Sequence, residues 1–285
     1  MKSEQSKAAA EWLARARLKA TELLAPVTAF FARKDVKAVW DWVKEPLYAV
    51  LLMFGLTSIL AQPFYVPSGS MEPTLAIGDA VLAAKFPYGY TRYSMPFDYI
   101  FLGESKSPPT PILARLPKVG DVVVFRLPRD TKVTYVKRVI GLPGDRIQML
   151  QGRLWINGKE LGLRSAGMGE DEDSQSGAIE MVPTFIETLP GGKQHRIFKK
   201  VWDGPMDNTD VYVVPPGHIF MMGDNRDDSL DSRWSVDQGG VGYVPVGNLV
   251  GKAFIVVGSV DFKNADGVLE WPLYFRLSRV FNGVR

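Results

Sequence analysis

The stretch VPSGSMEPT, Val66 to Thr74, sets two serines, Ser68 and Ser70, either side of a glycine and closes on a proline. A serine hydroxyl is a weak nucleophile until a neighbouring group takes its proton. Histidine is the usual acceptor, and the chain has two. His195 stands in GGKQHRIFKK and His218 in VPPGHIF. Neither sits in a triad context and the chain has no G-x-S-x-G elbow, so both read as structural or surface histidines.

A lysine can serve instead if desolvation makes it neutral near working pH. In KVTYVKRVIG, strand alternation puts Val133, Tyr135, Lys137 and Val139 on one face and Thr134, Val136, Arg138 and Ile140 on the other. A lysine on so apolar a face is expected to be partly buried. Arg138 cannot take its place, because a guanidinium keeps its proton. The plainer reading is a Lys137 that snorkels at a sheet edge, and Lys85 in VLAAKFPYG is the competing lysine. The densest polar cluster is GDNRDDSLDSR, Gly223 to Arg233. A calcium loop counted from Asp224 needs glycine where Ser229 stands and glutamate where Ser235 stands, so that reading fails. The cluster is either a structural turn or a functional loop that offers a hydroxyl, Ser229, to orient a lysine and an acid-base pair, Asp231 and Arg233, to fix itself.

The elements that must position these groups follow from hydrophobic patterning. No charged residue occurs from Pro46 to Met71, and Leu47 to Val66 matches the roughly 20 apolar residues of a spanning helix. Trp40, Trp42, Phe64 and Tyr65 fall where aromatic rings settle at membrane interfaces. Lysines and arginines crowd the segment before this span, and after it none occurs until Lys85. The expected topology is a cytoplasmic N-terminus with the bulk of the chain outside. The long leader argues for an uncleaved anchor over a cleaved signal peptide. The first 45 residues read as a cytoplasmic helical segment, lying against the membrane or a partner or else a simple solvated leader.

Beyond residue 75 the pattern turns to short runs rich in Val, Ile, Phe and Tyr between Gly, Pro, Asn and Asp, which predicts a mainly β domain. Strands are expected in GDVVVFRL, TYVKRVIG, DRIQML, RLWING, DVYVV, HIFMMGD and LVGKAFIVVGSV, with QG and NG as tight turns around RLWI. The acidic GMGEDEDSQSG reads as a mobile surface loop within an insertion. The domain reading is 1–45 cytoplasmic segment, 46–66 transmembrane helix, 67–143 first part of a catalytic β core, 144–215 inserted β subdomain and 216–285 second part of the core. The aromatic, proline-rich stretch after Lys85 and the C-terminal WPLYFRLSRVF are read either as interface-dipping segments or as core packing.

Composition removes several classes. With no cysteine there is no disulfide, thiolate zinc site or cysteine nucleophile. A net charge of +3, with basic and acidic residues interspersed, gives no nucleic-acid footprint. The 285 residues could hold one large domain or two modest ones.

Taken together, PSGSMEPTL, IGDAVLAAKFPYG, YVKRVIGLPGD and MMGDNRDDSLDSR, in that order after an uncharged span, resemble the boxes of the bacterial type I signal peptidases, membrane serine proteases of the Ser-Lys class. The resemblance implies a β-rich catalytic core with an inserted β subdomain after one transmembrane helix. It implies Ser70 as nucleophile, Lys137 as general base, Ser68 with the Ser70 N–H as oxyanion hole, Ser229 as the residue that orients the lysine, and Asp231 with Arg233 as structural support. Met71, Tyr135 and Val136 are the expected pocket walls. No metal or organic cofactor is called for. The partners would be secretory pre-proteins cut at A-x-A-like sites, membrane lipid and a nearby protein-export channel. The place would be the bacterial inner membrane, with a single pass and the catalytic domain on the periplasmic side. Other Ser-Lys proteases, the self-cleaving SOS repressors, lack the span, and penicillin-binding enzymes need an S-x-x-K that Ser70 does not begin. From a different class, the rival is a membrane-anchored β-barrel binding or scaffold module with an inert serine.

Overall fold

The structure, a computed structural model, describes residues 25–26, 34–94, 109–173, 176–261 and 273–285. The chain forms two compact units, Met1–Gly55 and Leu56–Arg285. Most of the expected N-terminal segment lies outside the described residues. A helix α1 runs over Lys34–Ile59. Val50, Leu51, Leu52 and Met53 are all exposed on it, and four consecutive residues point to all sides of a helix. No helix among the described residues is long and apolar enough to cross a membrane.

The expected helix over 46–66 therefore needs correction. It stops at Ile59, and Ala61–Tyr65 is a strand, β1, paired antiparallel with β2, Asp79–Ala84. An apolar run does not by itself distinguish a helix from a buried strand. Pro63 is tolerated because β1 lies at the sheet edge.

The remaining strands are β3 Val122–Leu127, β4 Asp130–Gly141, β5 Arg146–Leu150, β6 Arg153–Ile156, β7 Lys159–Glu160, β8 Gly162–Glu172, β9 Ile179–Thr188, β10 Gln194–Phe198, β11 Tyr212–Val213, β12 His218–Met222, β13 Val244–Pro245 and β14 Leu249–Ser259. They make a mainly β protein. One sheet has seven strands in the order β1-β2-β14-β3-β4-β12-β13; β10-β9-β8 and β11-β5-β6-β7 form two smaller sheets. Val81, Val124, Val250 and Val256 close one core cluster, and Val123, Phe125, Val139 and Met221 another. β3 is buried at all six positions, with Val122 and Val124 in the first cluster and Val123 and Phe125 in the second.

The tight turns fall as the sequence predicts. Gln151-Gly152 and Asn157-Gly158 each carry positive φ at both positions, the mirror-image turn that suits a two-residue hairpin. The acidic stretch is a loop only in part. Its residues up to Glu172 belong to β8, in register with β9, while 174–175 lie outside the described residues. The stretch after Lys85 is divided. Tyr88 and Tyr93 are buried, Tyr88 donating to Asp121, whereas Phe86, Ile112 and Leu113 are exposed and 95–108 lie outside the described residues.

Candidate active site

Ser70 sits in a 3-10 turn, Gly69–Met71, just after β1. Met71 is fully buried and anchors this turn in the core beside Val66 and Leu75. That burial removes Met71 from the expected pocket wall. The other side of the turn is held by the loop after β12: Asn225 donates its backbone N–H to the Ser70 carbonyl at 3.2 Å and its amide to the Gly69 carbonyl at 3.3 Å. No acceptor for the Ser70 N–H occurs among the described residues.

Lys137 lies on β4 opposite Val123 of β3, and it is 2% exposed. Its Nζ is 2.5 Å from Ser70 Oγ. The lysine thus lies in the interior and not at a snorkelling edge, in a run from Lys137 to Gly141 that is buried on both faces. Burial pushes its pKa down to about 8, against the opposing pull of Asp231 and Asp224. A lysine that loses its proton near 8 is a usable base at mildly alkaline pH. The competing Lys85 is also buried, but its ammonium is bonded to the Ser94 carbonyl.

Ser68 Oγ lies 3.4 Å from Ser70 Oγ. Ser68, Ser70, Lys137, Tyr135, Val136 and Ser229 all line one cleft of about 520 Å³, whose walls include Val81, Val124 and Val133. The structure brings Ser229 to this cleft but not into a hydrogen bond with the lysine. Its Oγ is buried without a partner among the described residues. An unpartnered buried hydroxyl costs roughly 1–3 kcal/mol.

Asp231 and Arg233 form a buried pair at 2.8 Å, and Asp231 also accepts the Gly223 N–H at 3.0 Å. Burial raises the Asp231 carboxyl, but the Arg233 guanidinium overrides this and holds it below the usual carboxylate range. The pair therefore fixes the strand end from which Gly223 faces the serine.

Three features were not picked out from the sequence. Arg138 makes a bidentate pair with Asp224, at 2.7 and 2.6 Å, which ties the lysine strand to the loop after β12. Gly223 touches the site so closely that a Cβ there would lie 2.3 Å from Ser229 Oγ and 2.4 Å from the Ser70 carbonyl oxygen. Asn225 holds the serine turn. All three belong to GDNR or to the residue after Lys137, so adjacency to the quoted boxes was the available signal. Of the histidines, His195 is buried between Glu187 and Asp224, and burial holds its pKa down to about 4. His218 binds a neighbouring carbonyl. Neither lines the cleft.

Residues 39–258 match the family described as "Signal peptidase, peptidase S26". The chain is 35% identical over 268 residues to a signal peptidase I of Rickettsia akari (strain Hartford), covering 88% of this chain and 94% of the relative. It is 35% identical over 254 residues to that of Rickettsia prowazekii (strain Madrid E), covering 83% and 90%. A solved signal peptidase I from Enterococcus faecalis V583 is 24% identical over 48% of this chain and 97% of its own, with a TM-score of 0.28.

Proposed function

The chain belongs to the signal peptidase, peptidase S26 family, and on that premise we propose that Ser70 and Lys137 are its catalytic dyad, removing signal peptides from exported pre-proteins through an acyl-enzyme. The observation that carries this reading is the 2.5 Å separation of Lys137 Nζ from Ser70 Oγ at the floor of an apolar cleft.

In its neutral form Lys137 accepts the Ser70 proton as Ser70 Oγ attacks the scissile carbonyl. The tetrahedral oxyanion is held by the free Ser70 N–H and the Ser68 hydroxyl, donors that count most where charge develops. Lys137 then passes its proton to the leaving amine. In the second half-reaction it takes a proton from water, which attacks the acyl-enzyme and frees the signal peptide. Ser229 offers an acceptor for the lysine head during these steps. Asp231 and Arg233 act as structural support.

The substrate binds as an added strand. β12 pairs with β4 only through Arg138–Gly141, and β1 has a single sheet neighbour. Val133–Val136 and Phe64–Tyr65 both line the cleft, so an extended peptide finds open backbone groups on either side. Apolar walls at Val124, Tyr135 and Val136 suit small side chains of the A-x-A kind.

The exposed apolar residues of α1, Leu47, Val50, Leu51, Leu52, Met53 and Leu56, are read as holding the chain at the inner membrane, with the catalytic core on the periplasmic side near the export channel. Exposed Phe86, Leu113, Leu277 and Phe281 supply further lipid contact. Residues 144–215, whose strands form the two small sheets, are read as an insertion on a core made by 67–143 and 216–285, which β1 extends.

The test is cleavage of a secretory precursor by full-length protein in detergent, with the new N-terminus read by mass. On the acid side, log kcat/KM should rise with unit slope, about tenfold per pH unit up to about 8, because the protonated lysine cannot accept the serine proton. A flat profile from pH 6 to 8 would contradict Lys137 as base. Ser68→Ala should lower kcat about 100-fold with KM nearly unchanged, as loss of one oxyanion donor does. Equal loss in KM would make Ser68 a binding group instead.

A further inference from the structure

Among the described residues of 144–215 none lines the cleft, yet the sheet β10-β9-β8 within that segment packs with all three strands onto one short stretch, Asp224–Arg226. Phe198 of β10 gives its N–H to the Asp224 carbonyl at 2.9 Å and accepts the Arg226 N–H at 3.0 Å, so the end of β10 brackets Asn225. Glu187 of β9 binds the Arg226 guanidinium at 2.8 and 2.5 Å. Asp171 of β8, itself buried, accepts one hydrogen of the Asn225 amide at 2.6 Å. That amide also donates to the Gly69 carbonyl at 3.3 Å, and the Asn225 backbone N–H donates to the Ser70 carbonyl at 3.2 Å. The end of β8 abuts the same turn: a Cβ on Gly69 would lie 3.1 Å from the Glu172 carbonyl oxygen.

A side-chain amide has one accepting end and one end with two donors. The Gly69 carbonyl accepts, and so does Asp171, whose other carboxyl oxygen meets Lys200 Nζ at 2.5 Å. Together they draw the NH2 end of Asn225 and leave its Oδ1 without a partner among the described residues. Without Asp171 nothing on that side would select the donor end, and the Gly69 carbonyl would lose its bond whenever the amide turned over. We propose that Asp171 is a positioning residue for Ser70, acting through the Asn225 amide, so that the inserted sheet holds the nucleophile without touching substrate. The proposal rests on Ser70 being the nucleophile. A turn that drifts carries Ser70 Oγ away from Lys137 Nζ, now 2.5 Å distant. That slows the chemical step and leaves the cleft walls that bind substrate as they were.

The experiment measures kcat and KM for precursor cleavage by full-length protein in detergent, together with melting temperatures. The proteins are wild type, Asp171→Ala, Asp171→Asn, Lys200→Ala, Asn225→Ala and the double variant of Asp171→Ala with Asn225→Ala. Asp171→Ala should lower kcat about tenfold with KM within about twofold, as a displaced nucleophile does. Asp171→Asn, whose carbonyl oxygen still accepts the Asn225 amide, should recover most of that loss. Lys200→Ala removes the ion pair but leaves the amide bond, so it should cleave as wild type does. The double variant should be no slower than Asn225→Ala, because both changes break one link. Near wild-type kcat in Asp171→Ala, an equal loss in Lys200→Ala, no recovery in Asp171→Asn, or losses that multiply in the double variant would each overturn the proposal. If Asp171→Ala does not fold, Asp171→Leu, of similar size and with no acceptor, takes its place; if that also fails to fold, Asp171 is structural and the proposal falls. These results leave the dyad standing, whereas absence of any cleavage by wild type would overturn the function itself.

Discussion

Ser70→Ala should abolish precursor cleavage, with a loss of about 10⁴-fold or more, while the thermal unfolding transition stays within a few degrees of wild type. Lys137→Met should lose about as much, and the double variant no more than either single one, because nucleophile and base act as one unit. The argument is geometric. Only one basic side chain is in contact with Ser70 Oγ among the described residues, at 2.5 Å, and neither histidine lines the cleft. Lys137→Arg should be as inactive as Lys137→Met, since a guanidinium in the same place keeps its proton. Removing the lysine also removes a buried cation, so Lys137→Met should be at least as stable as wild type at neutral pH: its depressed pKa means the charged form is disfavoured in the fold. Cleavage by Ser70→Ala at more than a thousandth of the wild-type rate would show that another residue is the nucleophile. Retention of an export-related phenotype by both single variants in cells would move the scaffold reading ahead.

Gly223→Ala carries the second largest expected effect, although it adds one methyl group. The new Cβ would stand 2.3 Å from Ser229 Oγ, 2.5 Å from Ser229 Cβ and 2.4 Å from the Ser70 carbonyl oxygen. Ser229 can turn its hydroxyl away, but the Ser70 carbonyl is backbone, and it is tied to Asn225 of the same loop. The serine turn must therefore move. Overpacking of this kind costs about 1–3 kcal/mol, and displacement of a nucleophile by about 1 Å lowers rate about 100-fold. The measurement is a lowered melting temperature together with a kcat loss of at least 100-fold and a smaller change in KM. A stable Gly223→Ala enzyme with near wild-type kcat would mean that the serine turn and this loop are not in register as described.

How much of this was legible beforehand depends on how far apart in the chain the relevant partners lie. The pattern around Lys137 left it either partly buried or snorkelling at a sheet edge, and the structure buries it together with its neighbours Arg138 and Val139, on both faces of β4. The hairpins at Gln151-Gly152 and Asn157-Gly158 are local and were legible. In contrast, the end of α1 was misread by several residues because Ala61–Tyr65 is apolar enough for either a helix or a strand. Its fate is decided by β2, whose edge it satisfies. The acidic stretch was misread in part, for a related reason. Alone, a run of Asp and Glu cannot bury itself, yet Asp171 is buried because Lys200 and Asn225, distant in sequence, meet its carboxylate.

From sequence alone came the mainly β character, the ordered boxes, and the choice of a serine and a lysine in a chain without cysteine. The β character rests on residue type and on periods of two, which any short segment reports, whereas the choice of Ser70 and Lys137 came from the resemblance that the ordered boxes carry. Only the tertiary structure decided that Ser70 and Lys137 meet, that Met71 supports the turn and does not line the pocket, that Ser229 has no bond to the lysine, and that Gly223 and Asn225 bear on the nucleophile. The pair separation spans 67 positions along the chain. Such meetings depend on sheet register, and register is set by the summed packing of β3, β4 and β12, so no local pattern carries it.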